Sequence, residues 1–265
     1  MARFKVVFLL ILLALCTSSC VTTREGSKIV VNKAAAVQDY VQLGMRYLKD
    51  GNRDGAVGSF SKALEIDSRS AEAYQGMAMV HQLNGETELA EKNFRRALYS
   101  RTDFSRAGIE FSYGRFLFEN RRIKEAMHYF QSASDDLQYR GRANAMLMVG
   151  QCALRLQNVG QARVAFERAL NVNPRLSPAA LELADMAYAN REYPKAKEYF
   201  DQYLKYARHT PRSLWLGIRI ERAFGNKDKE ASYALSLRNL HPYSQEYLDY
   251  KRFMEEQGKA TGTQK

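Results

Sequence analysis

Cysteine is scarce in this 265-residue chain: Cys16, Cys20 and Cys152 are the whole set. Three cysteines at these spacings make neither a disulfide framework nor a zinc site. Cys152 stands alone in an apolar, helix-like stretch and reads as a small buried hydrophobe. Proline is also sparse, with 5 in the chain. Few prolines, few β-branched runs and abundant Ala, Leu, Glu, Arg and Lys favour helix. The apolar run VVFLLILLAL (6–15) is too short for a membrane span, which needs about 20 residues. HExxH, GxSxG, P-loop and dinucleotide-glycine signatures are missing. The 4 histidines are scattered: His81 falls in a packing column and is expected in the core, and His128 is expected exposed. The chain is therefore read as no enzyme, with no cofactor, no metal and no nucleic-acid partner.

What is present is ordinary for a folded protein: 46% hydrophobic and 26% charged residues, which argues against wholesale disorder. The net charge is +11, to which Arg3 and Lys5 contribute in the leader. Such a balance by itself suits nucleic acid, anionic lipid or an acidic partner, and equally a solvated basic surface.

The leader has the charged, apolar, small-residue order of a secretory signal: MARFK, the apolar run, then CTSSC. Ser18-Ser19-Cys20 resembles a bacterial lipobox, with Thr17 where that pattern prefers Leu. Leu15 before Cys16 makes Cys16 the poorer candidate. The resemblance implies that residues 1–19 are removed and Cys20 is lipidated, anchoring the chain to a bilayer. Val21 rather than Asp then points to the outer membrane of a Gram-negative cell, facing the periplasm. Residues 20–36 are expected to be a tether. A plain cleaved signal or an uncleaved anchor are the alternatives, the last leaving a cytosol-facing scaffold.

One pattern recurs beyond the leader. Alanine, phenylalanine four on and alanine three on occur at Ala56/Phe60/Ala63, Ala90/Phe94/Ala97, Ala126/Phe130/Ala133 and Ala162/Phe166/Ala169. A fifth copy is Ala196/Phe200/Tyr203, and a degenerate sixth is placed at Ala231/Leu235/Arg238. The leading alanines are 34, 36, 36, 34 and 35 residues apart, and a fixed period near 34 marks stacked helical repeats. On a helix, positions i, i+4 and i+7 share a face, so each of the first four copies is a large plug between two small residues. An upstream column holds Gly44, Gly114 and Gly150. Glycine inside a helix costs about 1 kcal/mol against alanine, so this column implies a close helix–helix contact.

These columns resemble the tetratricopeptide repeat. The resemblance implies an all-α, right-handed superhelical solenoid of six repeats over 37–245. A capping helix is expected over 246–258, stopped by Gly258, with a loose tail at 259–265. The two 36-residue spacings imply two-residue extensions near Ser105-Arg106 and Gly141-Arg142. In this fold the first helix of each pair lines a concave face. Its expected groove residues are Val41, Met45 and Leu48 in the first repeat, Met79 in the second, and Phe111, Arg115 and Phe118 in the third. Leu147 and Leu154 follow in the fourth and Tyr188 in the fifth. Met, Phe and Leu suit a peptide with apolar anchors; the competing reading is that they pack between first helices. Arginines at 121–122, 140, 142, 219 and 222 are expected to be exposed, whether as an anion-binding surface or as solvated turns.

The whole-chain plan, with YVQLGMRYLKDGNRDGAVGSFSKALEIDSRSAEAYQGMAMVHQLNGETELAEKNFRRAL and FSYGRFLFENRRIKEAMHYFQSA, resembles the type IV pilus biogenesis lipoproteins of the PilF/PilW type. That resemblance implies a pilotin, an outer-membrane lipoprotein that binds the secretin subunit and promotes its membrane localisation and multimerisation. Two other readings are an adaptor for peptidoglycan hydrolases and a subunit of outer-membrane protein assembly.

Overall fold

The computed structural model describes residues 32–100 and 106–262, with side chains to 257. Cys20, the leader, most of the expected tether and Ser105 lie outside these residues. Thirteen helices form among the described residues. They are α1 (Lys33–Lys49), α2 (Arg53–Ile66), α3 (Ala71–Leu83), α4 (Thr87–Tyr99), α5 (Ala107–Glu119), α6 (Ile123–Asp135) and α7 (Arg142–Arg155). The series continues with α8 (Val159–Val172), α9 (Ser177–Ala189), α10 (Tyr193–Leu204), α11 (Pro211–Ala223), α12 (Lys227–Leu240) and α13 (Gln245–Gly262). Successive pairs from α1/α2 to α11/α12 make six repeats, each packed on its neighbours, and α13 packs on α11 and α12. The chain is an all-α, right-handed superhelical solenoid of tetratricopeptide type.

The helix boundaries follow local chemistry. Side chains of Asn32, Asn52, Ser70 and Asn158 accept hydrogen bonds from backbone N–H groups three residues on, satisfying donors that a helix start leaves unpaired. Thr210 and Ser213 form a reciprocal cap. Every first helix ends in the same left-handed turn, at Gly51, Gly85, Arg121, Gln157, Arg191 and Gly225, with φ between 60 and 77°. The next N–H bonds back five residues in all six, from Asn52 to Tyr47 through Asn226 to Glu221, closing a Schellman motif.

The plug column is the core of each pair. Phe60, Phe94, Phe130, Phe166 and Phe200 are fully buried. The glycine column faces it closely: a β-carbon on Gly44 would lie 2.5 Å from Phe60, one on Gly114 2.9 Å from Phe130, and one on Gly150 2.3 Å from Phe166. Cys152 is buried as expected, and its thiol is pushed up to about 12 by that burial.

Four expectations change. Residues 33–36 are the first turn of α1 rather than tether, because Asn32 caps the helix and three alanines carry it. Helix α13 begins at Gln245 and continues through Gly258 to Gly262; one helical glycine costs about 1 kcal/mol, too little to end a helix alone. The sixth plug triplet sits one residue earlier than placed. Ala231 and Leu235 are exposed, whereas Leu237 is fully buried. Counted from Gly225, the sixth triplet is Glu230/Ala234/Leu237, and Ile218 takes the glycine column. Ile218 and Ala234 share one apolar cluster, so the large and small partners have exchanged helices. Finally, His81 is not core: it is partly exposed at the end of α3 and pairs with Glu86. His128 is exposed, as expected.

The extension at Gly141 has a visible use. Residues 136–141 carry the Tyr139 ring in against α5, where it lies 6.2 Å from the ring of Phe111. It shares a small cluster with Ala107, Ala133 and Ala145.

Candidate functional site

The left-handed turn gives the register of the concave rows. Counting back 13, 10, 6 and 3 residues from it recovers the expected groove positions in the first five repeats. In the sixth it yields Arg212, Trp215, Arg219 and Arg222. The sequence reading did not place these four in the groove because the sixth register was misplaced; the Gly225-Asn226 turn was the signal that finds them. Hydrogen bonds that cross between first helices run through these rows. Gln75 donates to Ser112 at 2.7 Å and Gln82 to Glu119 at 2.5 Å, joining α3 to α5. Arg212 donates to Glu182 at 2.7 and 2.8 Å and to Asp185 at 3.0 Å, joining α11 to α9. The Glu182 hydrogen bond foremost, against the opposing effect of burial, holds the Arg212 pKa above its ordinary value.

The groove residues separate by burial. Met45 is 39% exposed, and Arg115 is exposed beside Glu119 at 3.3 Å. Val41, Leu48, Met79, Phe111, Phe118, Leu154 and Tyr188 are half-buried. Leu147 is buried at 9% in the main core, so its place in the groove is corrected: its side chain is spent on packing. Phe111 contacts the rings of Phe130 at 5.6 Å and Tyr139 at 6.2 Å, and the inserted loop covers part of it. Tyr188 lies under the Arg219 guanidinium, 5.0 Å from its centroid, and beside Tyr193; burial raises its phenol pKa.

The two ends of the groove differ. At the first joint a cavity of about 440 Å³ opens between α1 and the α2–α3 turn, lined by Lys33, Val37, Val41, Ile66, Asp67 and Arg69, among others. At the last joints the charges are paired internally, although the buried Arg219 Nε has no hydrogen-bond partner among the described residues. Arg219 bonds Asp185 at 3.1 Å and lies 5.3 Å from the Trp215 centroid. Arg222 pairs with Glu230 at 2.7 Å and lies over Phe253 at 4.5 Å. The expectation that Arg219 and Arg222 are exposed is thus corrected: acids and rings on neighbouring helices use them. Arg122 likewise pairs with Glu91 and Glu125, and Arg142 donates to the Ser134 carbonyl. Arg121 and Arg140 are exposed. No group of three or more candidate metal ligands comes together among the described residues.

Comparison with known proteins places this architecture. Tetratricopeptide-repeat family models match residues 71–104, 143–176 and 181–244. The type IV pilus assembly protein PilF of Pseudomonas aeruginosa is 37% identical over 245 residues, covering 92% of this chain and 96% of that protein. The chain belongs to this type IV pilus biogenesis family. The solved Pseudomonas aeruginosa PilF structure superposes with a TM-score of 0.78 at 37% identity, over 83% of this chain and 98% of that one. A structure of PilW, described as a widely conserved type IV pilus biogenesis factor, gives 0.67 at 29% identity, over 81% and 97%. The family members matched are repeat scaffold proteins rather than enzymes. Their fold suits protein–protein interaction.

Proposed function

We propose that this family member is a pilotin: lipidated at Cys20, held at the periplasmic side of the outer membrane, and binding secretin subunits of the type IV pilus so that they localise and multimerise there. The observation that carries the reading is the likeness to PilF along nearly the full length of both chains. The open first joint, where Val37, Val41 and Ile66 stand among charged and polar side chains, supplies the capture surface, with Val41 and Met45 foremost and Leu48, Met79, Phe111, Arg115, Phe118, Leu154 and Tyr188 extending it. Tethering supplies the advantage. A lipid-held solenoid and a membrane-bound subunit meet at raised effective concentration, which favours assembly without new contacts.

Deleting the gene and probing outer-membrane fractions for secretin multimers tests this directly; normal multimers in the deletion strain would overturn it. Met45→Glu is the sharper variant, because Met45 is exposed and its loss leaves the core intact. It should abolish secretin capture in a pull-down while preserving helical content. Recovery of peptidoglycan hydrolases or insertion-barrel subunits without a secretin would favour the adaptor readings instead. Palmitate labelling lost in Cys20→Ala checks the anchor.

A further inference from the structure

In the row three residues before the left-handed turn, two rings lie under a cation from the next repeat, besides Trp215 under Arg219 in another row. In the fifth joint Arg219 of α11 covers Tyr188 of α9 at 5.0 Å. In the third joint Arg155 of α7 covers Phe118 of α5 at 5.2 Å. Both rings occupy the position three residues before the left-handed turn, at Arg191 and Arg121. The surroundings differ: Arg219 stands six residues before its own turn at Gly225 and Arg155 two before Gln157, beside the groove rows, and each ring's own helix brings a different charge. Three residues before Tyr188 stands Asp185, whose carboxylate accepts from Arg219 at 3.1 Å and from Arg212 at 3.0 Å. Three residues before Phe118 stands Arg115, a second cation. Arg155 is exposed and has no carboxylate partner among the described residues. Arg115 has only Glu119 on its own helix, with both side chains at least half exposed, a weak kind of pair.

We infer that the third joint is a carboxylate-binding subsite of the groove, in which Arg155, laid on Phe118 and flanked by Arg115, takes an acidic group of the partner where Asp185 serves the fifth joint from within. This deepens the proposed function by naming the partner's chemistry: a carboxylate beside a large apolar side chain. The ring fixes the guanidinium plane, and a pre-placed guanidinium meets a carboxylate bidentately with little further ordering. Half-buried Leu154 and Phe118 offer the apolar neighbour its contact. The net charge, +9 once Arg3 and Lys5 leave with the leader, favours an acidic segment on approach.

The test uses the chain from Val21 onward, labelled with nitrogen-15, and two probes: 3-phenylpropionate and its neutral amide. In amide and arginine-side-chain spectra the acid should bind at least tenfold more tightly than the amide, with shifts centred on α5 and α7. Arg155→Gln should bring the ratio to within twofold of one at unchanged helical content. Arg175→Gln removes another exposed arginine lying over a ring, that of Tyr206, and should leave the ratio intact. Equal binding of acid and amide by the native chain overturns the inference, as does a ratio that survives Arg155→Gln. Either result leaves the secretin reading to its own pull-down, so the two fail separately.

Discussion

Replacing Gly150 by alanine sets two physical effects against each other. Alanine favours the helix by about 1 kcal/mol over glycine. The new methyl, however, would stand 2.3, 2.6 and 2.7 Å from Phe166 Cε1, Cδ1 and Cζ, where ordinary contact begins at 3.4 Å. The ring must therefore retreat by about 1 Å, yet Phe166 is fully buried. Overpacking of this kind costs about 1–3 kcal/mol, so Gly150→Ala should cancel the propensity gain at least and be net destabilising by up to about 2 kcal/mol. Urea unfolding followed by far-UV circular dichroism measures it. A smaller plug should relieve the clash: Phe166→Leu should cost less in the alanine background than alone, by at least about 0.5 kcal/mol of coupling. A Gly150→Ala chain stabilised by the full helix-propensity gain, with no coupling to position 166, would refute the close-contact account of the glycine column. Ala78 and Ala184 already fill that column opposite Phe94 and Phe200, so the penalty belongs to individual joints.

The left-handed turns offer an opposite, stabilising change. Arg121, Gln157 and Arg191 hold φ of 60–61°, which glycine adopts without steric cost. Each glycine substitution should raise stability by about 0.5–1 kcal/mol, nearly additively in the triple variant because the sites share no partners; thermal melts that fall instead would contradict this. The Cys152 thiol, at about 12 in the fold, should resist a thiol reagent at pH 8 and react once urea unfolds the chain. Because the folded thiol keeps a proton that the unfolded one releases, its linkage lowers stability as pH rises from 9.0 toward about 12; a Cys152→Ala chain should lack that component in alkaline melts. Glu91 is partly buried, which opposes ionisation, but hydrogen bonds from Arg122, Arg95 and Tyr113 outweigh this and hold its carboxyl below the ordinary range. Its contribution is present at neutral pH and lost as pH falls through that lowered value. Glu91→Gln should cost about 1–2 kcal/mol at pH 7 and flatten the acid limb of the stability profile.

The sequence by itself determined the repeat. Period, plug, glycine column and turn are contained within about 34 consecutive residues, and 3.6-residue periodicity makes them readable. It also placed Cys152 and the five phenylalanine plugs correctly, since a small or large side chain at a fixed helical position has only one face to occupy. The register of the sixth repeat was off by one residue because Ile218 and Ala234 reversed large and small, and a search for a phenylalanine cannot see a complementary exchange.

The state of the groove was decided by tertiary structure. Val41 and Leu147 occupy the same row and look equally available, but Val41 lines an open cavity while Leu147 is packed into the core. Arg155 and Arg219 look alike as arginines. Asp185 reaches one of them from 34 residues away, whereas the other meets the Phe118 ring and no carboxylate among the described residues. Such pairings form between helices of successive repeats, across joints whose spacing is set by side chains such as Tyr139. Local periodicity carries the fold because each repeat folds on its immediate neighbours. The chemistry of the concave face depends on which charges those neighbours bring together, and that exists only once the helices have stacked.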